Sequence, residues 1–321
     1  MNKPTYLVTG AAGFIGSRFV ESCQAKGIAT ISVDSLPHFD SRTEHRKVEF
    51  GKRVERSKLW AFLDQTAPSL RAIIHLGACT NTMELDQAFL KKQNLEYSIS
   101  LWNFATKQKI PFVYASSAAT YGDGALGYDD DESILEKLKP LNPYGDSKLR
   151  FDIWAKEQAA QGMHPPRWSG FKFFNVYGFG ERHKNKMASV VLHAYDQIKK
   201  DGKVKLFKSH KTGIADGDQK RDFIAVEDVL SVLHFALEKP IGRGIYNLGT
   251  GQAQTYRALV SAVFKYLKQK EIIEFVDTPL ELRERYQYFT QAKMDRLRAQ
   301  GYASAFLSLE EGAASYLKKL V

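Results

Sequence analysis

Tyr6-Leu7-Val8-Thr9-Gly10-Ala11-Ala12-Gly13-Phe14-Ile15-Gly16 is the stretch that decides the fold. Tyr6 to Val8 reads as a short buried strand, and the following residues turn into a helix that runs to about Lys26. Glycines at 10, 13 and 16 let the backbone approach a pyrophosphate, leave the helix N-terminus open to an anion and allow close helix-on-sheet packing. The spacing departs by one residue from the GxGxxG fingerprint. Its place at the first strand–helix junction, with Asp34 closing a second strand, makes this a dinucleotide-binding turn.

Outward from that unit, strands and helices alternate. Ile28 to Val33 reads as a strand, Leu59 to Gln65 as helix, Ala72 to Leu76 as a strand, Phe89 to Gln108 as a long helix and Phe112 to Ser116 as a strand. The expected fold is α/β, a Rossmann-type doubly wound parallel sheet with a second, smaller α/β substrate lobe. Residues 1–174 plus about 219–251 form the expected dinucleotide-binding domain, and about 175–218 plus 252–321 the substrate-binding domain. In the second part we expect a helix near Met187 to Lys199, a strand around Val204 to Phe207, a connection over Arg221 to Val226, a helix over Val229 to Leu237 and a strand from Gly244 to Leu248. The polar stretch Lys208 to Lys220 reads as a loop, either solvated or closing over nucleotide.

Tyr144-Gly145-Asp146-Ser147-Lys148 follows Ser116-Ser117-Ala118-Ala119-Thr120-Tyr121-Gly122. Tyr144 and Lys148 share a helix face, and a neighbouring ammonium favours the phenolate of a tyrosine that otherwise titrates near ~10. The pair suits a general acid/base working on a substrate hydroxyl. Together with the glycine turn these motifs resemble the extended short-chain dehydrogenase/reductase family over the whole chain. Phe173-Phe174-Asn175-Val176-Tyr177-Gly178, His183-Lys184-Asn185-Lys186-Met187-Ala188-Ser189, Lys220-Arg221-Asp222-Phe223 and Arg285-Tyr286-Gln287-Tyr288-Phe289-Thr290-Gln291 resemble one branch of it, the ADP-heptose 6-epimerases.

That resemblance implies an isomerase that inverts C6 of the heptose in an ADP-sugar during lipopolysaccharide core precursor synthesis. A carbinol carbon with no acidifying carbonyl holds its proton, so hydride removal to a nicotinamide gives a transient 6-ketone and return of hydride gives the epimer. The resemblance implies Tyr144 as first acid/base, Lys148 lowering its pKa and bonding the nicotinamide ribose, Ser117 holding the substrate oxygen, and Lys184 as second acid/base. Gly10, Gly13, Phe14, Ile15, Gly16, Asp34, Ser35, Leu76, Gly77, Ala78, Cys79, Thr80, Asn94, Lys148, Val176 and Lys184 are expected at the cofactor. Asn175, Lys186, His193, Phe207, Lys208, Ser209, His210, Arg221 and Tyr286 are expected at the substrate. Lys186 departs from relatives that carry a small residue there. Asp34 points to NAD, while Arg42, His45, Arg46 and Lys47 could hold a 2′-phosphate; the resemblance favours NADP over NAD. It also implies a homo-oligomer, a pentamer-like ring.

A nucleotide-sugar 4-epimerase would use the same Ser117, Tyr144 and Lys148. A 4,6-dehydratase needs an acid where Ala118 and Ala119 stand, and a noncatalytic dinucleotide-binding sensor would ordinarily lose the Tyr/Lys pair. Composition agrees with an enzyme of diphosphate substrates: 321 residues, 44% hydrophobic, net charge +10, the basic residues scattered in pairs such as Lys91-Lys92 rather than in a nucleic-acid stripe. Cys23 and Cys79 offer neither a disulfide framework nor metal spacing. A core strand within about five residues of the N-terminus and the lack of any ~20-residue apolar run imply no signal peptide, no membrane partner and a cytoplasmic protein.

Overall fold

The computed structural model describes residues 5–283 and 286–321. Strands β1 (Thr5–Thr9), β2 (Thr30–Asp34), β3 (Lys52–Glu55), β4 (Leu70–His75), β5 (Phe112–Ser117) and β6 (Trp168–Phe173) form the main sheet with a later strand, Gly244–Leu248. β7 (Asn175–Tyr177), β8 (Val204–Phe207) and β9 (Lys220–Ala225) lie between, so Gly244–Leu248 is β10; β11 (Ala253–Thr255) and β12 (Ile273–Val276) complete the set. The seven strands run in the order β10-β6-β5-β4-β1-β2-β3, all neighbours parallel. Direction of connection reverses between β1 and β4, which opens the crevice of a doubly wound fold at the carboxyl ends of those strands.

β1 reads as apolar because it is covered on both faces: Tyr6, Leu7 and Val8 are buried, and so are Ile73 and Ile74 beside them on β4. Each such side chain contributes about 2 kcal/mol by leaving water. The first helix, Phe14–Ala25, begins without a side-chain cap at Gly13, so its first N–H groups are unclaimed by side chains. The chain can turn there because Gly10 adopts φ +67°, and a Cβ on Gly16 would stand 2.0 Å from the Gly10 carbonyl oxygen. The glycines therefore set how close helix and strand can come.

A second cluster of buried side chains, among them Leu192, Ile198, Leu206, Val263, Phe264, Tyr316 and Leu317, joins the helices Val190–Asp201, Tyr256–Leu267 and Leu309–Lys318. The last of these starts with a capping box between Ser308 and Glu311. Two small sheets accompany it, β11-β9-β7 and the parallel pair β12-β8. Ala292, Met294, Leu297 and Tyr302 instead pack into the larger core around the main sheet, with Tyr6, Ile73 and Ile245.

Several elements differ from the sequence reading. Arg221 to Val226 is mostly strand, because β9 takes β7 on one side and β11 on the other. Asn175–Tyr177 leaves the main sheet, as expected, and pairs with Phe223–Ala225 in a separate small one. Residues 182–187, of which Met187 falls in the expected helix, form a 3₁₀ turn, and the helix starts only where Ser189 accepts the Leu192 N–H. β3, β11 and β12 are short strands, exposed or half-buried apart from Val54 of β3, and alternation alone does not mark them. Arg285 lies outside the described residues.

Candidate active site

Tyr144 stands in the first turn of the helix Pro143–Ala160, whose start is fixed by Pro143 and by Asn142 Oδ1 accepting the Gly145 N–H at 2.8 Å. This end lies against the turn Ala118–Tyr121; a Cβ on Gly145 would come within 2.7 Å of the Ala119 carbonyl oxygen. Ser117, the last residue of β5, accepts the Ala119 N–H at 3.1 Å and hydrogen-bonds the Tyr144 phenol. Burial raises the phenol's pKa, and the Ser117 bond opposes that rise.

Lys148 is buried one turn after Tyr144, and its Nζ donates to the Ala115 carbonyl oxygen at 2.9 Å. Burial pushes the Lys148 ammonium itself down to about 8, with Asp152 opposing. Asp152, one further turn along, was not marked by the sequence reading. Fully buried, it accepts from Tyr114 (3.0 Å), Ser116 (2.6 Å) and Lys172 Nζ (2.7 Å), and Lys172 also donates to Thr120 Oγ1 at 2.7 Å. The i, i+4, i+8 series Tyr144, Lys148, Asp152 was the signal that could have found it.

Leu76, Gly77, Ala78 and Cys79 are half-buried and Thr80 is exposed at the carboxyl end of β4, across from the glycine turn. Gly77 and Gly10 approach so closely that a Cβ on Gly10 would meet Gly77 Cα at 2.6 Å. Asn94 is completely buried, with Oδ1 accepting the Cys79 N–H (2.8 Å) and Nδ2 donating to Cys79 O and Ser147 Oγ (both 3.0 Å). It holds the β4 loop to the Tyr144 helix. A π-helical stretch, Lys91–Glu96, interrupts the helix Gln87–Lys107 at this residue. Behind it, Ser98 donates to Asn94 O (2.5 Å), so His75 Nε2 carries the hydrogen toward Ser98 (2.8 Å) and His75 Nδ1 accepts from Thr9 Oγ1 (2.7 Å). Burial pushes His75 down to about 3, which keeps it neutral.

Asp34 spends its carboxylate on the turn: it accepts from Ala12 N (3.0 Å), Ser35 N (2.8 Å) and His38 Nδ1 (3.1 Å). Arg42 donates to the Ala12 carbonyl oxygen beside it. His45 is 4% exposed and is pushed down to about 4 by burial and by Arg42, so it is a neutral ring and not a cation for a 2′-phosphate. These features fit a dinucleotide: a close-packed glycine cradle, an uncapped helix N-terminus and, at the end of β2, an acid and a guanidinium.

Lys184 lies in the 3₁₀ turn Arg182–Met187, with its Nζ 5.4 Å from the Phe14 ring centre and 3.9 Å from Glu181. Burial lowers its pKa and Glu181 raises it. Glu181 is buried, accepting from Ser189 N (2.7 Å), Ser189 Oγ (2.5 Å) and Gly178 N (3.3 Å). Asn175 and Lys186 are exposed, Val176 half-buried, and His193 half-buried on the following helix.

Arg221 does not present a free fork. It is buried, donates to the Lys220 and Gln287 carbonyl oxygens, and is flanked by the rings of Tyr256 (5.7 Å) and Tyr286 (5.4 Å). Its neighbour Asp222 ties three segments together through Thr250, Gly251 and Ala292 N–H groups. Phe207 is exposed at the end of β8; Lys208 pairs with Asp277 (3.4 Å), Ser209 N donates to Asp216 (2.7 Å), and His210 N donates to Tyr288 (3.0 Å). Among the described residues no three His, Cys, Asp or Glu side chains gather as a metal site, and no helix is long and apolar enough to cross a membrane.

Residues 6–249 match the NAD dependent epimerase/dehydratase family. The chain is 45% identical to an ADP-L-glycero-D-manno-heptose-6-epimerase of Fusobacterium nucleatum, over 97% of this chain and 96% of that one. It is 42% identical to a protein of the same description from Nitratidesulfovibrio vulgaris, over 98% and 97%. Among solved structures, the Helicobacter pylori ADP-L-glycero-D-manno-heptose-6-epimerase superposes with a TM-score of 0.80 at 26% identity, covering 99% of this chain and 96% of that one. A Thermus thermophilus UDP-glucose 4-epimerase in complex with NAD shares the fold, with a TM-score of 0.76 at 22% identity and 98% of each chain covered.

Proposed function

The chain belongs to the NAD dependent epimerase/dehydratase family, and from that premise we propose that it inverts C6 of the heptose in ADP-D-glycero-β-D-manno-heptose, giving the L-glycero epimer. The observation that carries this reading is the near full-length identity with heptose epimerases, joined to two desolvated acid/base groups on different elements, Tyr144 beside Ser117 and Lys184 over Phe14. Inverting a carbinol through a ketone requires proton transfer to and from an oxygen that changes place, and a single acid/base cannot serve both placements.

When bound, a nicotinamide dinucleotide would supply hydride acceptance and return with no net redox. Gly10, Gly13, Gly16 and the first N–H groups of the helix Phe14–Ala25 would hold its pyrophosphate. NADP is the form this reading favours: Asp34 is already engaged by three hydrogen-bond donors, and Arg42 is at hand for a 2′-phosphate.

At the substrate, Ser117 holds the reacting oxygen and stabilises developing charge on it. Burial acts on Tyr144 and Lys184 in the same chemical sense, toward the neutral side chain. The phenol therefore keeps a proton to give, and the amine is eased toward accepting one. Asn175, Lys186, His193, Tyr286 and the segment Phe207–His210 would form the sugar and nucleotide contacts of a substrate lobe. Arg221, buried between two rings, would act by holding Tyr286. The reading includes a cytoplasmic homo-oligomer serving lipopolysaccharide core precursor synthesis.

The test is to mix purified protein with ADP-D-glycero-β-D-manno-heptose, follow the C6 epimer ratio by NMR, and identify the released cofactor by mass. An epimer mixture with NADP released is expected. Turnover of a UDP- or dTDP-hexose in its place would reject the heptose substrate and keep the Tyr144 chemistry.

A further inference from the structure

The 3₁₀ turn Thr43–His45 sits where neither the glycine turn nor the Tyr144 helix accounts for it. Its middle residue, Glu44, reaches 136 and 138 positions along the chain. Oε1 accepts the Gly180 N–H at 3.2 Å and Oε2 accepts the Arg182 N–H at 3.1 Å. Both donors lie within four residues before Lys184. The Glu44 carbonyl oxygen in turn accepts from Arg18 Nη2 at 3.1 Å; Arg18 is buried on the first helix with its guanidinium 5.2 Å from the Phe179 ring centre. Two residues before Glu44, Arg42 bonds the Ala12 carbonyl oxygen, and one residue after it the His45 ring lies 6.5 Å from that of His183. The turn is thus clamped to the dinucleotide cleft on one side and to the Lys184 loop on the other.

The Lys184 loop needs such an anchor. Asn185 adopts φ +50°, ψ −121°, a conformation that a side chain disfavours and that persists only when the surroundings impose it. The Lys184 ammonium has a single ionic partner among the described residues, Glu181 at 3.9 Å, and Glu181 belongs to the same loop. A loop braced only on itself would let Nζ wander from its place over Phe14.

We propose that Glu44 is a positioning residue for Lys184: its carboxylate, through the Gly180 and Arg182 N–H groups, fixes the loop that carries the second acid/base against the dinucleotide cleft. This rests on Lys184 having that role. Because Arg42 is on the same turn, the adenosine end of the cofactor site and the second acid/base share one mount.

Glu44→Gln tests it, since the amide keeps the shape but offers one accepting oxygen in place of two. In the otherwise unchanged protein it should lower kcat about tenfold, with KM and cofactor content held, as expected when a reacting group loses its alignment. In the Lys184→Met background it should change kcat no further, whereas in the Tyr144→Phe background the loss should recur. Hydrogen exchange should quicken in residues 178–186 and stay unchanged in residues 144–152. Unchanged kcat in Glu44→Gln, or an equal further loss in the Lys184→Met background, overturns the proposal. If Lys184→Met alone turns over at the normal rate, the role of Lys184 fails first and the proposal falls with it.

Discussion

The two proposed acid/base groups are mounted in opposite ways. Tyr144 sits on an 18-residue helix whose underside is locked to the main sheet by Lys148, Asp152 and Lys172, every bond running to a strand or turn of the same core. Lys184 sits on a six-residue turn with one left-handed asparagine, held by two carboxylates, Glu181 from within the loop and Glu44 from far away in sequence. The first mount is rigid because its cost was met in folding the core; the second is a loop set by a few polar contacts, where position and mobility are traded directly. An epimerase must let a ketone turn between two hydride-accepting faces, and a firm wall opposite an adjustable one suits that need.

The largest expected effect lies beneath the firm wall. Lys172→Met leaves the buried Asp152 carboxylate without its ammonium and should destabilise the protein by about 3–5 kcal/mol, read as a fall in denaturation midpoint. Lys184→Met, on the loop, should move the midpoint little; equal losses would erase the contrast. Next in size, Tyr144→Phe and Lys184→Met should each slow epimerisation by at least ~10²-fold with cofactor still bound, the loss expected of a missing general acid/base. Near-normal turnover in either variant, followed by NMR at C6, removes that residue from the mechanism.

Arg42→Ala should weaken NADP relative to NAD by about tenfold, the worth of a charge-assisted bond, with competition binding as the measurement. An unchanged preference would move the 2′-phosphate to Arg46 or Lys47. The smallest effect is a pH dependence. Burial depresses Lys148 to about 8 from an ordinary value of 10.5, so the folded state releases this proton at lower pH than the unfolded chain does. Between those values the unfolded chain binds more protons, and stability contributed at this site rises with pH. Below about 8 the buried ammonium weighs fully against folding. The midpoint of Lys148→Met, measured against the unsubstituted protein, should therefore compare most favourably below pH 8 and lose ground toward pH 10.5; a pH-independent difference would show that Lys148 is not desolvated.

Much of this was legible one segment at a time. The glycine turn, the strand–helix alternation that yields the parallel sheet, and the Tyr144–Lys148 spacing depend on residues within a turn or two of each other, where backbone geometry alone decides who is a neighbour. Where long-range packing decided, the sequence reading missed or misplaced the role. β9 looked like a connection because its partners β7 and β11 come from either side of it in the chain. Nor does the sequence show that Arg221 lies between the rings of Tyr256 and Tyr286, that Asn94 braces the β4 loop against the Tyr144 helix, or that burial holds the His45 ring neutral in the interior.

By itself, then, the chain's order determined a dinucleotide-binding α/β fold and a tyrosine poised one turn from a lysine, because i+4 spacing and glycine backbone freedom are local properties. Only the tertiary structure decided that Lys148 bonds Ala115, that Asp152 finds Lys172, and that Glu44 reaches Gly180 and Arg182. Those contacts exist because burial leaves each charged or polar group to find a partner wherever packing brings one, and no periodicity in the sequence records where that is.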